Sequence, residues 1–279
     1  MLSERTKNLP PERFVLPENA GERSVRIQGG VQSLIDAVAN TVPPGVVELE
    51  TRVTAIRLGE AEAITVEAIR ADGKRKEVPA SAVILALPPR IVARYITFSP
   101  SLPEKLKTDL TSKPTWMAGQ AKAIAVYDHP FWRESGLSGF ATSWVGPLQE
   151  IHDASPETGA GALFGFFGMP AKTRHEMGEG KVLHLVRDQL VRLFGPAAQN
   201  VKTILYKDWS RESEMAVEED MEPLQDFPKY GYPPASGVWE KKIIFAGTEA
   251  DSRFGGHLEG ALLAAERAVF EITDLNNEP

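Results

Sequence analysis

The stretch FAGTEADSRFGGHLEGALLAAERA, residues 245–268, constrains the fold more than any other part of this sequence. An apolar strand runs into Gly247, a glycine pair follows at Gly255 and Gly256, and a long helix comes next. Glycines let a backbone approach a ligand closely, and the start of a helix presents unpaired amides that favour negative charge. The stretch therefore predicts a ligand site at the end of this strand, where Glu249 also lies.

The residues alone leave a plainer alternative open. Glu249 then only caps a loop, and the glycines serve close packing, because Gly-rich turns between a strand and a helix are common. A matching phosphate loop would decide the question, but the nearest approach to G-x-G-x-x-G is GAGALFG at Gly159–Gly165, which is one residue too long. An aromatic run follows it instead of a helix, so it predicts a turn into a strand.

The order of strand and helix patterns predicts how the chain is organised. Residues 1–24 are polar and punctuated by proline, which indicates an irregular lead-in. Strand and helix elements occupy residues 25–112 and 212–279, and short aromatic strands occupy residues 113–211. This order predicts a mixed α/β fold in which one domain is interrupted by a strand-rich domain.

Periodicity predicts several individual elements. RIQGGVQSLIDAVANTVPPG predicts a short amphipathic helix, VVELETRVTAIRLG a strand, and AVILALPP a strand buried on both faces. The closing helix is predicted to end at about Ile272. The segment GEGKVLHLVRDQLVRLFG predicts a second helix, whose inner side carries five apolar residues: Val182, Leu185, Val186, Leu190 and Leu193.

Composition excludes several classes of function. The formal net charge of −7 gives no basic surface for nucleic acid. The absence of cysteine excludes disulfides, cysteine metal sites and a thiol nucleophile. Four histidines lack the spacing of metal ligands, so no metal site is predicted: His129, His152, His175 and His184. No apolar run reaches the length of a membrane span and no signal peptide is recognisable, so a cytoplasmic protein without membrane contact is expected.

A lysine interrupts the strand QAKAIAVY. Both faces of this strand are apolar, which predicts burial on both sides, and Lys122 points the same way as Ile124 and Val126. Lysine is almost never fully buried without a partner. The residues alone favour a lysine whose aliphatic chain is buried and whose ammonium group reaches solvent. The alternative is that the Lys122 ammonium group has a functional role.

The ordered set of motifs resembles the flavin-containing amine oxidases, the monoamine oxidase family. The closing stretch, RIQGGVQSLIDAVA, ETRVTAI, AVILALPP, FSPSLP and HPFWR stand in the family's order at roughly its spacing, over residues 25–272. The resemblance implies an FAD/NAD(P)-binding Rossmann-like domain interrupted by a substrate domain of amine oxidase type. The family's N-terminal βαβ unit, which binds the FAD pyrophosphate, has no counterpart in the sequence, so an incomplete FAD domain is expected.

The resemblance also implies roles for single residues around FAD. Glu249 matches the acidic residue beside the ribityl and phosphate portion, and Gly247 lies where the strand passes the cofactor. Val53 matches a strand residue whose backbone contacts adenine. Four residues match the turn whose amides face the flavin N1 and C2 carbonyl: Gly256, His257, Leu258 and Glu259. Because the family's covalent flavin link uses a cysteine, noncovalent FAD is implied here.

Three residues are implied to act in catalysis. Lys122 matches the lysine that holds a water against flavin N5, and Trp209 matches an aromatic residue near the flavin edge, with an ordinary core tryptophan as the alternative. His257 stands where monoamine oxidases have one of two aromatic residues that flank the amine. The implied reaction moves hydride from the carbon beside a substrate nitrogen to flavin N5, and oxygen then reoxidises the flavin. An amine or amino acid substrate is implied.

Three explanations account for the absent opening unit. The chain is expected to need an N-terminal FAD-binding fragment, and an exposed apolar face is expected to favour such a partner or a homo-oligomer. Alternatively, it is a truncated, cofactor-free paralogue that acts as a binding or scaffolding protein. A shared fold with different chemistry is the third possibility.

Overall fold

The computed structural model describes residue 27 and residues 29–277, so the predicted lead-in at residues 1–24 lies outside the described part. The chain divides into two units, residues 1–51 and 52–279, and each is described by itself. The predicted division into residues 25–112 with 212–279 and residues 113–211 stays a prediction.

The described residues form strands and helices in a mixed order, with runs of consecutive strands at residues 51–85 and 141–167. The strands are β1 Thr51–Leu58, β2 Ile64–Arg70, β3 Arg75–Ala80, β4 Val83–Leu85, β5 Thr97–Ser99, β6 Ala121–Tyr127, β7 Ala141–Thr142, β8 Leu148–Asp153, β9 Gly161–Phe167, β10 Thr203–Asp208 and β11 Ile243–Phe245. The helices are α1 Val31–Ala39, α2 Pro89–Tyr95, α3 Glu104–Ser112, α4 Phe131–Glu134, α5 Ala171–Met177, α6 Glu179–Phe194 and α7 Leu258–Asn277. The predicted mixed α/β class is confirmed.

The first unit contains the predicted amphipathic helix, α1. Its apolar side chains are 49–58% exposed, and they are Val31, Leu34, Ile35 and Val38. The strand predicted from residue 46 begins only at Thr51, and the exposed residues before it pair with no described strand. The pattern therefore identified the apolar residues correctly, but no described residue of this unit buries them.

Two sheets of the second unit surround one core. A four-stranded sheet has the order β3-β2-β1-β5, and a parallel two-stranded sheet joins β11 to β4. Helices α2 and α3 contribute Val92, Leu106 and Leu110 to the core between them. Trp239 is fully buried there, and its indole Nε1 donates a hydrogen bond to the Pro100 carbonyl at 3.0 Å.

The prediction that AVILALPP is buried on both faces is wrong. Strand β4 has only three residues, and Ile84 is 41% exposed while Leu85 is buried. Helix α2 starts at Pro89, because proline fits the first turn of a helix and ends a strand. One face of β4 therefore lies open among the described residues.

The closing helix, α7, runs past its predicted end at Ile272, to Asn277.

The five-stranded antiparallel sheet has the order β10-β6-β9-β8-β7. Strands β6 and β9 alternate between fully and partly buried residues, so the predicted burial of QAKAIAVY on both faces is wrong. Helix α6 covers the buried face with Val182, Val186 and Leu190. Phe194 is also buried, whereas the predicted inner residues Leu185 and Leu193 are only partly buried.

Gln189 takes an inner position of α6 that the apolar pattern did not predict. Its side chain is buried and pairs with the backbone of one residue of β8: Leu148 N–H donates to Oε1 at 2.8 Å, and Nε2 donates to the Leu148 carbonyl at 2.7 Å. A buried amide is tolerated because both of its polar atoms are satisfied.

Among the described helices, none is long and apolar enough to cross a membrane.

Candidate active site

The strand, turn and helix of the closing stretch form one rigid corner. Strand β11 leads into Gly247, where an added Cβ would lie 2.9 Å from the Leu87 carbonyl oxygen, so no side chain fits. Gly256 has a φ of 80°, a backbone conformation that favours glycine. The Thr248 hydroxyl donates to the His257 carbonyl at 2.8 Å, and Asp251 Oδ1 accepts the Phe254 amide at 2.6 Å. The turn is therefore closed by its own hydrogen bonds.

Glu249 is a buried carboxyl group at the carboxyl end of β11, with 4% of its surface exposed. Its Oε1 accepts a hydrogen bond from the Thr115 hydroxyl at 3.2 Å. Burial raises the pKa of Glu249, and the negative charge of Asp220 adds to the increase, against the hydrogen bonds from its own amide and Thr115. A carboxylate with so few donors has remaining capacity to accept hydrogen bonds from a ligand.

Replacing Glu249 by glutamine is expected to stabilise the ligand-free chain at pH 7, by on the order of 1 kcal/mol. The folded-state pKa of Glu249 lies above its ordinary value of 4.5, so folding is favoured when this group is protonated and loses stability as pH rises through the folded pKa. Glutamine is neutral throughout. Urea unfolding at pH 7 should therefore separate the variant from wild type, and the difference should vanish near pH 4.

The exposed Glu266→Gln on α7 is the matched control and should change stability at neither pH. Destabilisation by Glu249→Gln at pH 7 would show that the charged form is well solvated or paired.

Four rings, named here the ring cluster, lie beside the turn: Trp116, Phe227, Tyr230 and His257. The ring centroids of Trp116 lie 4.8 Å from Phe227 and 5.0 Å from His257. Phe227 stacks on His257 at 5.8 Å and contacts Tyr230 at 5.9 Å. Tyr230 is tied down because its hydroxyl donates to the Pro114 carbonyl at 2.7 Å. Apart from His257, sequence reasoning missed this cluster, and the only signal was aromatic residues within otherwise polar loops.

Lys122 lies on the partly buried face of the five-stranded sheet. Its Nζ is 5.1 Å from the ring centroid of Phe166 and 6.0 Å from that of Phe164, both on β9. These are distances at which an ammonium group is attracted to aromatic faces. No carboxylate forms an ion pair with Lys122 in the part of the chain that the structure describes. The lysine is thus held by rings and keeps its hydrogen-bonding capacity.

Trp209 directly follows β10, and its backbone amide donates to the Gln120 carbonyl at 3.0 Å. Its ring is partly buried and lies 5.0 Å from Nζ of Lys207, which is also paired with Glu212. Lys207 and Lys122 are directly opposite each other on β10 and β6. Trp209 therefore lies near the strand that carries Lys122.

A buried ion pair lies directly before Trp209, at Asp208. Arg174 and Asp208 are 2% and 1% exposed, and the guanidinium donates to both carboxylate oxygens, at 2.9 and 2.7 Å. Arg174 also donates to the carbonyls of Met169 and Gly119, at 2.6 and 2.8 Å. Burial alone would raise the pKa of Asp208, but the hydrogen bonds from Arg174 and Ser210 outweigh it and hold the pKa at about 2. No local pattern in the sequence predicted this pair.

The structure brings some of the predicted site residues together and separates others. Gly247, Glu249, Gly256 and the exposed Leu258 and Glu259 all lie on the corner between β11 and α7. In contrast, Val53 packs with the core of the four-stranded sheet, and Lys122 and Trp209 lie on the five-stranded sheet. No hydrogen bond or ring contact joins these three residues to the corner among the described residues. The described residues also contain no cluster of three groups that could hold a metal.

Comparisons with known proteins match nearly the whole chain. It is 29% identical over 267 residues to probable flavin-containing monoamine oxidase A of Dictyostelium discoideum, covering 92% of this chain and 55% of the relative. It is 31% identical over 210 residues to L-amino acid dehydrogenase of Synechocystis sp., covering 69% of this chain and 40% of the relative. The chain thus spans about half the length of these relatives.

Solved structures of amine oxidases are similar to this chain over most of its length. A structure of putrescine oxidase bound to putrescine is similar to this chain with a TM-score of 0.65 and 25% identity, over 88% of this chain and 53% of that one. The sequence model of a family described as flavin containing amine oxidoreductase matches residues 12–273. The resemblance seen in the motifs is confirmed: the chain belongs to the flavin-containing amine oxidoreductase family.

Proposed function

We propose that this chain forms part of an FAD-dependent, amine oxidase-type oxidoreductase that oxidises the carbon beside the nitrogen of a small amine or amino acid. Oxygen is the proposed electron acceptor. The observation that carries the proposal is the corner between β11 and α7, where the Glu249 carboxyl is buried at the carboxyl end of β11 and accepts only one side-chain hydrogen bond among the described residues.

The residues at the corner fit noncovalent FAD. The Glu249 carboxylate accepts hydrogen bonds, which suits the hydroxyl groups of the ribityl chain. Gly247 and Gly256 let the corner pack closely against Leu87 and Tyr230. The amides that open α7, at Leu258 and Glu259, suit the side of the flavin where negative charge develops. When bound, FAD supplies the acceptor for the hydride that leaves the substrate carbon.

The other side chains then have distinct roles. Lys122 holds a water molecule by donating a hydrogen bond from its ammonium group, and Phe164 and Phe166 fix the stem beside it. Trp209 forms an apolar wall, which the Arg174–Asp208 pair holds in place. The backbone of Val53 contacts the adenine end. His257 faces the substrate from the start of α7.

A second part is proposed to complete the FAD site. The hydrogen bonds Val83 N–H to Lys242 O and Ala246 N–H to Leu85 O fix one edge of β11 against β4. The intervening residues Ile243 and Phe245 direct their backbone groups to the other edge, which pairs with no described strand. At this edge the Phe245 carbonyl accepts a hydrogen bond from the Arg267 guanidinium, and the backbone of Ile243 is left for a neighbouring strand. Parallel sheets rarely stop at two strands, because each buried strand needs partners and covered faces.

The surfaces next to this edge suit a strand followed by a helix. A groove of about 540 Å³ runs beside β11. On α7, several apolar side chains lie exposed: Leu258, Leu262, Val269 and Phe270. An N-terminal strand–helix unit of amine oxidase type, in the same longer chain or in a second one, is the proposed occupant. Its strand would extend β11, and its helix would cover α7.

Co-expression with the N-terminal portion of the Dictyostelium relative tests this function. The chain alone is expected to retain little FAD, whereas the pair should purify as a yellow complex with about one FAD. Leu262→Glu on the exposed side of α7 should weaken the complex about tenfold or more, since it places a charge in an apolar contact. Val145→Glu, at an equally exposed position outside α7, is the matched control and should have no effect.

The outcomes separate the alternatives. A chain that retains one FAD by itself would contradict the need for a second part. A stable complex that binds no FAD would favour the cofactor-free binding protein instead.

A further inference from the structure

A cleft of about 320 Å³ lies between helices α2 and α3 and the segment at residues 217–219. Four charged side chains line it: Arg90 and Arg94 from α2, Lys107 from α3, and Glu219. Its volume is at the low end of the range of about 300–1,000 Å³ that is typical of small-molecule sites. None of the roles proposed above for the amine oxidase site uses these residues.

Helix periodicity brings the positive charges together. Arg90 and Arg94 are four residues apart on α2, so they share one face of that helix. On α3, Lys107 and Thr111 have the same spacing. Arg90 Nε donates a hydrogen bond to the Thr111 carbonyl at 3.0 Å, which ties the two faces to each other. Positive groups from both helices therefore line one cleft.

The Arg90 guanidinium is held from one side and retains donors for a ligand. Its side chain is 16% exposed, and Nη1 donates to Asp220, whose carboxyl is 4% exposed. Asp220 is itself held, because its Oδ2 accepts the Val217 amide at 2.9 Å. A guanidinium has five N–H donors, and the described residues accept two from Arg90. The others are available to an anion in the cleft.

The charge balance of the lining also favours an anion. Arg94 pairs with Glu219, but both are largely exposed, at 51% and 43%, and such a pair is weak enough to exchange partners. Lys107 is exposed and forms no ion pair with any described residue. The lining has three positive charges and one negative charge, and Asp220 behind Arg90 lowers the excess to one. This local excess stands out in a chain whose formal net charge is −7.

We propose that this cleft binds the phosphate group of a small anion, which accepts hydrogen bonds from Arg90, Arg94 and Lys107 and replaces Glu219 beside Arg94. Phosphate matches the planar fork of arginine and offers oxygens to several donors at once. The motif resemblance assigns the FAD pyrophosphate to the N-terminal unit, so the cleft serves a different ligand. The inference goes beyond the proposed function and does not depend on it.

Titration of the ¹⁵N-labelled chain with butyl phosphate tests the proposal, and it needs neither FAD nor a second protein part. At pH 7 the ester carries about 1.5 to 2 negative charges. The backbone amide resonances of Arg94, Lys107 and Glu219 should shift with one shared dissociation constant. Acetate should bind about fivefold more weakly, because it has a smaller charge and fewer acceptor oxygens.

Inorganic phosphate distinguishes the two sources of the phosphate group. Weaker binding than that of butyl phosphate identifies an ester whose organic part contacts Ala93 and Val217, the apolar residues of the lining. Equal binding identifies free phosphate. Either result supports the site.

Variants at exposed positions separate the cleft from general electrostatic attraction. Lys107→Met and Arg94→Met should each weaken butyl phosphate binding about fivefold or more, because each removes a charged donor. Glu219→Gln should strengthen binding about two- to fivefold, since it removes the competing carboxylate. Damage to the fold would not produce this gain. Lys105→Met is the matched control, because Lys105 is also exposed on α3 but does not line the cleft, and binding should stay within about twofold of wild type.

Four results would overturn the assignment. The first is the absence of these shifts at about 50 mM butyl phosphate, and the second is equal binding of acetate and butyl phosphate. The third is an equal loss in Lys105→Met and Lys107→Met, which would indicate nonspecific attraction to α3. The fourth is unchanged or weaker binding in Glu219→Gln.

Discussion

Replacing Arg174 by methionine is expected to lower the free energy of unfolding by about 3–5 kcal/mol. The substitution leaves the Asp208 carboxylate buried without its main partner, because Arg174 donates to both of its oxygens. It also removes hydrogen bonds to the Met169 and Gly119 carbonyls. Urea unfolding at pH 7, followed by circular dichroism, measures the loss.

Two further variants show whether the buried charge is the cause. Arg133→Met removes an ion pair with Asp153 in which the arginine is 42% exposed, so a loss of no more than about 1 kcal/mol is expected. The double variant Arg174→Met/Asp208→Leu removes both charges and should recover much of the loss. If the double variant is as unstable as Arg174→Met, packing and not charge explains the effect.

In the Arg174→Met variant, the pH dependence of the free energy of unfolding at acidic pH should be the reverse of that in wild type. The pKa of Asp208 is held at about 2, below its ordinary value of 3.8, so its contribution to stability is present above pH 3.8 and is lost as pH falls towards 2. Without Arg174, burial dominates and raises the pKa of Asp208. The variant should therefore gain stability relative to wild type as pH falls through this range.

Local patterns were sufficient to predict the corner between β11 and α7. Gly247 lies close to the Leu87 carbonyl, and Gly256 has a positive φ. Both positions favour glycine, so one short stretch of sequence is enough to identify them. The dipeptide Asp72–Gly73 is a hairpin signal of the same local kind, and β2 and β3 pair in antiparallel fashion on either side of it. Turn chemistry acts over a few residues, so a single sequence records it.

Contacts between distant segments were not predictable in this way. Trp116, Phe227 and His257 come from three separate segments, and only the folded chain brings their rings within 6 Å. The local sequence around Arg174 or Asp208 does not indicate that either charge is buried. A charged side chain is buried only when it has a partner, and here the partner lies in a distant segment. Periodicity also identified the apolar residues of α1 without indicating that they lie exposed.

Replacing Lys122 by methionine is expected to lower turnover of the completed, FAD-loaded protein by a factor of about 10²–10³. Methionine has a similar length and packs well on Phe164 and Phe166, but it cannot donate a hydrogen bond to the water proposed to lie beside the flavin. FAD content should stay near that of wild type, because Lys122 has no contact with the corner that holds Glu249. Oxygen consumption with a primary amine gives the rate, and the flavin absorbance gives the cofactor content.

Lys207→Met is the matched control, since Lys207 is directly opposite Lys122 on the neighbouring strand. It pairs with Glu212 and stacks on Trp209, so its removal takes away a lysine from the same sheet and leaves Lys122 in contact with Phe164 and Phe166. Turnover of this variant should stay within about threefold of wild type, because it loses only an exposed ion pair and a stacking contact. Equal losses in both variants would mean that the positive charge of the sheet matters and not the position of one ammonium group. Unchanged turnover in Lys122→Met, with FAD bound, would remove Lys122 from the mechanism and leave its contacts with Phe164 and Phe166 as a purely structural feature.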